Sequence, residues 1–213
     1  MVKLTTRVLT LTALAALLAT PAVALTADST HAPGTAAELK AALNTMLQEH
    51  VYLASAATGA ALGGRDAEFK AAAGALDANS VDLSKAIGAV YGDGAERAFL
   101  GLWRKHIGFF VDYTVGTAKK DKAMQDKAVQ DLLGYAEDFG AFLASANPHL
   151  PKAAVAELVR THVVTLKTVV DQQSSGSPDR AFAALRDAAK HMGMIANPLA
   201  DAIAKQFPQK FAS

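Results

Sequence analysis

Long amphipathic stretches follow one another along this chain, and short runs of turn-forming residues separate them. Within each stretch the apolar residues recur at steps of three and four, which predicts helices with one buried face. A capping box at Thr35-Ala36-Ala37-Glu38 predicts that the first helix begins near Ala36. Later breaks fall at 63–64, 92–94, 119–121, 147–148 and 174–178. The pattern therefore predicts an all-α protein of six antiparallel helices.

A histidine recurs at the same place in the first, third and fifth predicted helices. His50, His106 and His162 are 56 residues apart, and the apolar positions around them keep the same spacing. Because the connections are short, sequential helices should be antiparallel neighbours. We therefore expect one domain over 36–208, an up-down bundle built from three tandem helical hairpins. The repeats would cover about 36–92, 93–148 and 149–207.

The N-terminal segment has the features of an export signal. Lys3 and Arg7 are followed by an apolar run over 8–18, and Pro21-Ala22-Val23-Ala24 ends in a small-x-small pattern. This predicts a signal peptide over 1–24 and a flexible leader over 25–35. We expect a secreted or extracytoplasmic protein, in the periplasm or cell envelope, with no transmembrane segment in the mature chain.

Charge and cysteine content narrow the classes of function further. The signal would remove two of the 21 Lys and Arg residues, which leaves 19 basic residues against 20 acidic ones. These charges are scattered along the chain, so the basic patch that nucleic-acid binding requires is missing and we expect no nucleic-acid partner. The chain has no cysteine. Its stability must therefore come from helix packing or from a bound ligand.

The repeated histidines lie on apolar stripes, so each needs a partner for its ring nitrogens. Reflection of each hairpin about its turn places polar residues at the same height as the three histidines, namely Asn79, Tyr135 and His191. One turn further on lie Asp82, Asp138 and Met194. The sequence thus predicts a polar layer in the middle of the bundle.

Three interpretations of this layer are open. The histidines could be core residues that only fix the helix register. They could bind a transition metal, with His50, His106, His162, His191, Met194, Asp82 and Asp138 as candidate ligands. Imidazole and thioether groups, here including Met192, favour copper, whereas histidine with aspartate would suit zinc or iron. A haem held by His162 and His191 is the third interpretation.

Geometry would decide whether the three histidines can share one ion. If the hairpins close around a pseudo-threefold axis, the histidines approach one another. If the hairpins lie side by side, alternate helices are about 16–20 Å apart and no shared site exists. The sequence carries no nucleophile elbow, phosphate loop, metalloprotease helix or cysteine nucleophile, so we expect a protein that is not an enzyme.

Three segments resemble a family of secreted bacterial helical-repeat proteins, some of which are labelled copper amine oxidase-like. They are Glu49 to Asp66, Leu102 to Phe110 and Phe139 to Pro148. The resemblance covers essentially the whole mature chain and implies an exported helical protein, but the family brings no established function. The Asn-Tyr-Asp/Glu motif and the His-x-His pair of copper amine oxidases are absent from this sequence. The resemblance therefore implies no catalytic residue.

Overall fold

The computed structural model describes residues 34–211, and the regular structure of this part of the chain is entirely helical. The six helices are α1 (Ala36–Leu62), α2 (Asp66–Tyr91), α3 (Asp93–Lys119), α4 (Lys122–Ala146), α5 (Lys152–Ser174) and α6 (Pro178–Gln206). The predicted all-α class is confirmed. The predicted signal peptide over 1–24 and the leader as far as residue 33 lie outside the described residues.

Side-chain caps form two of the helix starts. The Thr35 hydroxyl accepts a hydrogen bond from the Glu38 amide at 3.1 Å, and the Glu38 carboxylate accepts one from the Thr35 amide at 3.0 Å. This is the predicted capping box, and it satisfies backbone donors that the first turn leaves free. At α4, the Asp121 carboxylate accepts from the Met124 amide.

The six helices form a closed bundle. Each helix packs against the next one in the chain, and α6 returns to pack against α1. The return is fixed by a 2.8 Å hydrogen bond between Asn44 and Asn197 and by an ion pair between Lys40 and Asp201. Since α1, α3 and α5 also contact one another, these three helices face the centre of the bundle.

Closure decides one of the alternatives that the sequence leaves open, because a side-by-side array would keep α1, α3 and α5 apart. The prediction that each hairpin is a separate structural unit stays a prediction. Each helix packs against the helix before it and the helix after it in the ring, so the contacts do not group the six helices into three separate hairpins. Within the described residues, no helix is long and apolar enough to cross a membrane.

Candidate metal centre

The three repeated histidines meet at the centre of the bundle. Each comes from a different inner helix, and the side chains of His50, His106 and His162 are only 1%, 2% and 4% exposed. One ring nitrogen of each lies within 4.8 Å of the other two. The Nε2 atoms of His50 and His106 are 3.4 Å apart. We call these three residues the histidine cluster.

Helical periodicity explains why the histidines point inward. Leu47, His50 and Ala54 follow at steps of three and four and are all buried, so they form one stripe along α1. His106 and His162 occupy the same place on the stripes of α3 and α5. Because the three stripes face one axis at the same height, the imidazoles are directed towards one another and not towards the helices that follow them.

Aromatic rings surround the histidine cluster. The Trp103 ring lies 4.9 Å from the ring of His50 and 4.6 Å from that of His106, measured between centroids. Tyr135 stacks on the other side of His106 at 4.8 Å. These rings shield the cluster on their side, and no carboxylate of the described residues forms an ion pair with it.

Most ring nitrogens of the cluster have no hydrogen-bond partner in the protein. They are Nδ1 of His50, both nitrogens of His162 and Nδ1 of His106, although the Trp103 backbone lies close enough to His106 to raise its pKa. A buried polar atom without a partner costs about 1–3 kcal/mol, so native cores rarely keep several of them together. The unpaired nitrogens of His162, together with the two Nε2 atoms of His50 and His106 that contact only each other, leave the cluster with lone pairs available for a ligand.

Burial keeps all three imidazoles neutral. Desolvation is the main cause that lowers the pKa of each, and it brings the pKa of His106 to about 3 and that of His162 to about 4. For His50, desolvation and then repulsion from the other two cluster histidines hold the pKa well below 6.5. Neutral imidazole is the form that coordinates metal ions, so no proton has to be displaced near pH 7.

The spacing of the nitrogens suits one ion. Two imidazole nitrogens bound at about 2.0–2.1 Å, at angles between tetrahedral and trigonal, are about 3.3–3.6 Å apart. The 3.4 Å between Nε2 of His50 and Nε2 of His106 falls in this interval. Beside the cluster lies a void of about 30 Å³, which His106 and His162 both line. Three buried histidines thus lie close enough to hold a metal ion.

The predicted partners from the facing helices have other roles. Asn79 donates from Nδ2 to the carbonyl oxygen of Met46 at 3.0 Å and to the Glu49 carboxylate at 2.8 Å. Tyr135 lies at the predicted height, but it contacts His106 through its ring face, and its hydroxyl has no partner. The expectation that these residues pair with the histidine nitrogens is wrong, because the imidazoles face the bundle axis.

His191 does not join the cluster either. It is buried, and its Nε2 lies 2.8 Å from the carbonyl oxygen of Leu158, to which it donates. His191 is close enough to His162 to lower the pKa of that residue. With Nε2 bound to the backbone, it does not present this nitrogen to a metal shared with His162 or to a haem between the two residues.

Asp82, Asp138 and Met194 lie at the surface, so their inclusion among the candidate ligands is wrong. The Asp82 side chain is 65% exposed and pairs with Lys85, Met194 is 59% exposed, and Asp138 is also exposed. The reason is the helical step: each lies three residues after the residue that faces inward. In α2 and α4 the fourth residue after that inward residue is buried, and it is apolar in both helices.

Two neighbours of the cluster were not among the candidate ligands. Met192 is 1% exposed and lines the same void as His106 and His162, whereas the candidate Met194 points outward. The step of Met192 from the buried Ala188 and Ala196 is the signal that identifies it as inward. The ring of Trp103 contacts two of the three histidines.

Comparisons with protein-family models, with curated proteins and with solved structures gave no match to this chain. The resemblance to secreted helical-repeat proteins stays a prediction.

Proposed function

We propose that this protein binds one transition-metal ion through His50, His106 and His162 and that it has no catalytic activity of its own. The observation that carries the proposal is the convergence of three neutral, buried imidazoles at the bundle axis, where neither nitrogen of His162 has a hydrogen-bond partner in the protein. Neutral imidazole is the commonest metal ligand in proteins. Coordination through Nε2 of His50, Nε2 of His106 and one nitrogen of His162 would give His162 the partner that it lacks in the protein, and it would replace the contact between the two Nε2 atoms.

A purely structural role for the histidines is the alternative, and the same observation counts against it. Structural histidines normally donate one ring nitrogen and accept at the other, as buried polar groups must. His191 shows what this looks like in the same bundle, because its Nε2 donates to a backbone carbonyl. His162 has no such bond at either nitrogen. An apolar residue would serve packing better at that position.

The surroundings of the cluster favour copper, in its monovalent state. No charged ligand accompanies the three imidazoles, so the ion would bring its whole charge into an apolar core. The cost of burying an ion rises with the square of its charge, which makes a divalent ion about four times as costly as a monovalent one. Among the metals that imidazole suits, copper is the one with a stable monovalent state.

We further propose that the protein acts outside the cytoplasm. The pattern of basic residues, apolar run and small-x-small site over 1–24 supports export.

The test is a titration of untagged, metal-free protein with Cu(I) against a chromophoric Cu(I) chelator under anaerobic conditions. We expect one equivalent to bind. His50→Gln, His106→Gln and His162→Gln should each weaken binding about 100-fold or more, since loss even of an outer-shell partner costs 10–100-fold. His191→Asn is the matched control and should bind normally. Absence of stoichiometric metal, for Cu(I) and for Zn²⁺ alike, would overturn the proposal and leave the histidines as core residues.

A further inference from the structure

An apolar cavity connects the histidine cluster with the surface. Its volume is about 320 Å³, and it lies between α1, α2 and α3, with Leu166 of α5 also lining it. The lining includes the buried His50 and His106 together with Val111, which is 42% exposed. The cavity therefore reaches from the centre of the bundle to solvent, and its size is in the usual range of small-molecule sites.

The wall of this cavity offers nothing to a charged or strongly polar guest. The hydroxyl of Thr114 donates to the carbonyl oxygen of Phe110, and that of Thr58 makes hydrogen bonds with the Ser55 carbonyl and the Gln173 side chain. Asp66 is the one charged residue in the lining, and it lies at the exposed start of α2. Elsewhere the lining is apolar until it reaches the imidazoles.

Three protein ligands leave a tetrahedral ion with one open position, as in catalytic and ligand-binding metal sites. At this cluster, the cavity is the space that such a position can face, because it contacts His50 and His106. The void beside His106 and His162, which Trp103, Tyr135 and Met192 also line, is only about 30 Å³ and offers much less room.

We infer that the metal held by the histidine cluster keeps a coordination position open to the apolar cavity, and that this position takes a small uncharged ligand of the class of carbon monoxide. The inference rests on the proposed function. The cavity selects by size and polarity: a neutral diatomic or similarly small molecule can cross it, whereas anions and hydrated cations would have to lose their water without compensation.

The test uses the full-length mature protein loaded with Cu(I), with carbon monoxide as the probe. Infrared spectroscopy should show one narrow C–O stretching band, saturating at one equivalent per copper. Ala57→Phe fills the cavity two turns from His50 and should weaken carbon monoxide binding at least about ten-fold. Ala183→Phe, a substitution of the same size at an exposed position on α6, should leave binding unchanged.

Val111→Phe at the half-open rim provides a second variant in case Ala57→Phe fails to fold. It should slow the association of carbon monoxide after flash photolysis without changing Cu(I) affinity. If Cu(I) binds with the expected stoichiometry but carbon monoxide does not, the inference is overturned and the metal site stands. If Cu(I) does not bind in the chelator competition, both are overturned. Equal carbon monoxide affinity in the Ala57→Phe and Ala183→Phe variants would also overturn the inference.

Discussion

Asn79 and His191 occupy matching positions in the first and third sequence repeats, and they form equivalent hydrogen bonds. Asn79 donates to the carbonyl oxygen of Met46, and His191 to that of Leu158; in both cases the partner lies 33 residues earlier. Each acceptor is four residues before a cluster histidine, so the two bonds fix the inner helix just below the cluster. His191 is therefore the structural equivalent of an asparagine, although its residue type is that of a metal ligand.

This equivalence predicts that His191→Asn is tolerated. The amide can donate to the Leu158 carbonyl as Asn79 does to Met46, so the free energy of unfolding should change by less than about 1 kcal/mol. His191→Leu removes the donor and should cost about 0.5–1.5 kcal/mol. Urea unfolding followed by circular dichroism measures both. A larger loss for asparagine than for leucine would contradict the assigned role.

The opposite result is expected at His162. Its two ring nitrogens are buried without partners, and the residue is only 4% exposed. His162→Leu should therefore raise the free energy of unfolding of the metal-free protein by about 1–3 kcal/mol, because an unpaired polar group is replaced by an apolar one. The same variant should lose metal binding. If His162→Leu instead destabilises the metal-free protein, the histidine has a structural role.

The pH dependence of stability follows from the lowered pKa values. In the unfolded chain a histidine titrates near 6.5, whereas in the folded protein the pKa is about 3 for His106 and about 4 for His162. Between these values the unfolded state binds more protons than the folded state, so stability is full above pH 6.5 and falls as the pH decreases. The loss at pH 5 should be roughly 2 kcal/mol for His106 and the same for His162, and the lowered pKa of His50 adds a loss in the same direction.

Urea titrations of the metal-free protein at pH 7.5, 6 and 5 would measure this effect. His162→Leu should show a shallower decline, with about one proton fewer taken up on unfolding. His191→Asn makes a useful comparison, because it removes a histidine outside the cluster. Identical slopes for wild type and His162→Leu would show that His162 is accessible to protons in the folded state.

Much of the fold can be read from the sequence, whereas the arrangement of the site cannot. Thr35 with Glu38, the Gly63-Gly64 pair and Asn147-Pro148 mark helix ends through local chemistry, and the structure places helix ends there. Closure of the bundle depends on contacts such as Asn44–Asn197, which lie 153 residues apart. No local pattern specifies such a pair, so the sequence predicts inward histidines but leaves their separation open.

The prediction of the additional ligands was wrong for a related physical reason. Reflection of a hairpin about its turn gives the height of a facing residue, and Tyr135 does lie beside His106. Height alone does not give the rotation of the facing helix about its own axis. Met192 and Met194 are two residues apart, so their side chains differ by about 200° around the helix axis, which places Met192 in the core and Met194 at the surface.

Metal binding should stabilise the folded state by mass action. At a free Cu(I) concentration of 100 times Kd, the gain is about 2.7 kcal/mol, which corresponds to a rise in Tm of roughly 5–11 °C for a chain of this size. His106→Gln should abolish the rise, and Met194→Leu, at an exposed side chain, should keep it. Differential scanning calorimetry under anaerobic conditions would measure the three proteins side by side. A rise that persists in His106→Gln would place the metal elsewhere on the chain.

Trp103 provides a direct optical signal for the site. It is the one tryptophan of the chain, it is 6% exposed, and its ring centroid lies 4.6 Å from that of His106 and 4.9 Å from that of His50. Copper bound to these imidazoles would be within contact range of the indole, so its emission should be quenched strongly and saturate at one equivalent. Binding at a surface site such as the loop around His149 should leave most of the emission intact. His50→Gln should shift the quenching to at least about 100-fold higher copper concentration, whereas His191→Asn should give the wild-type curve. Stoichiometric copper binding without quenching would exclude the histidine cluster as its location.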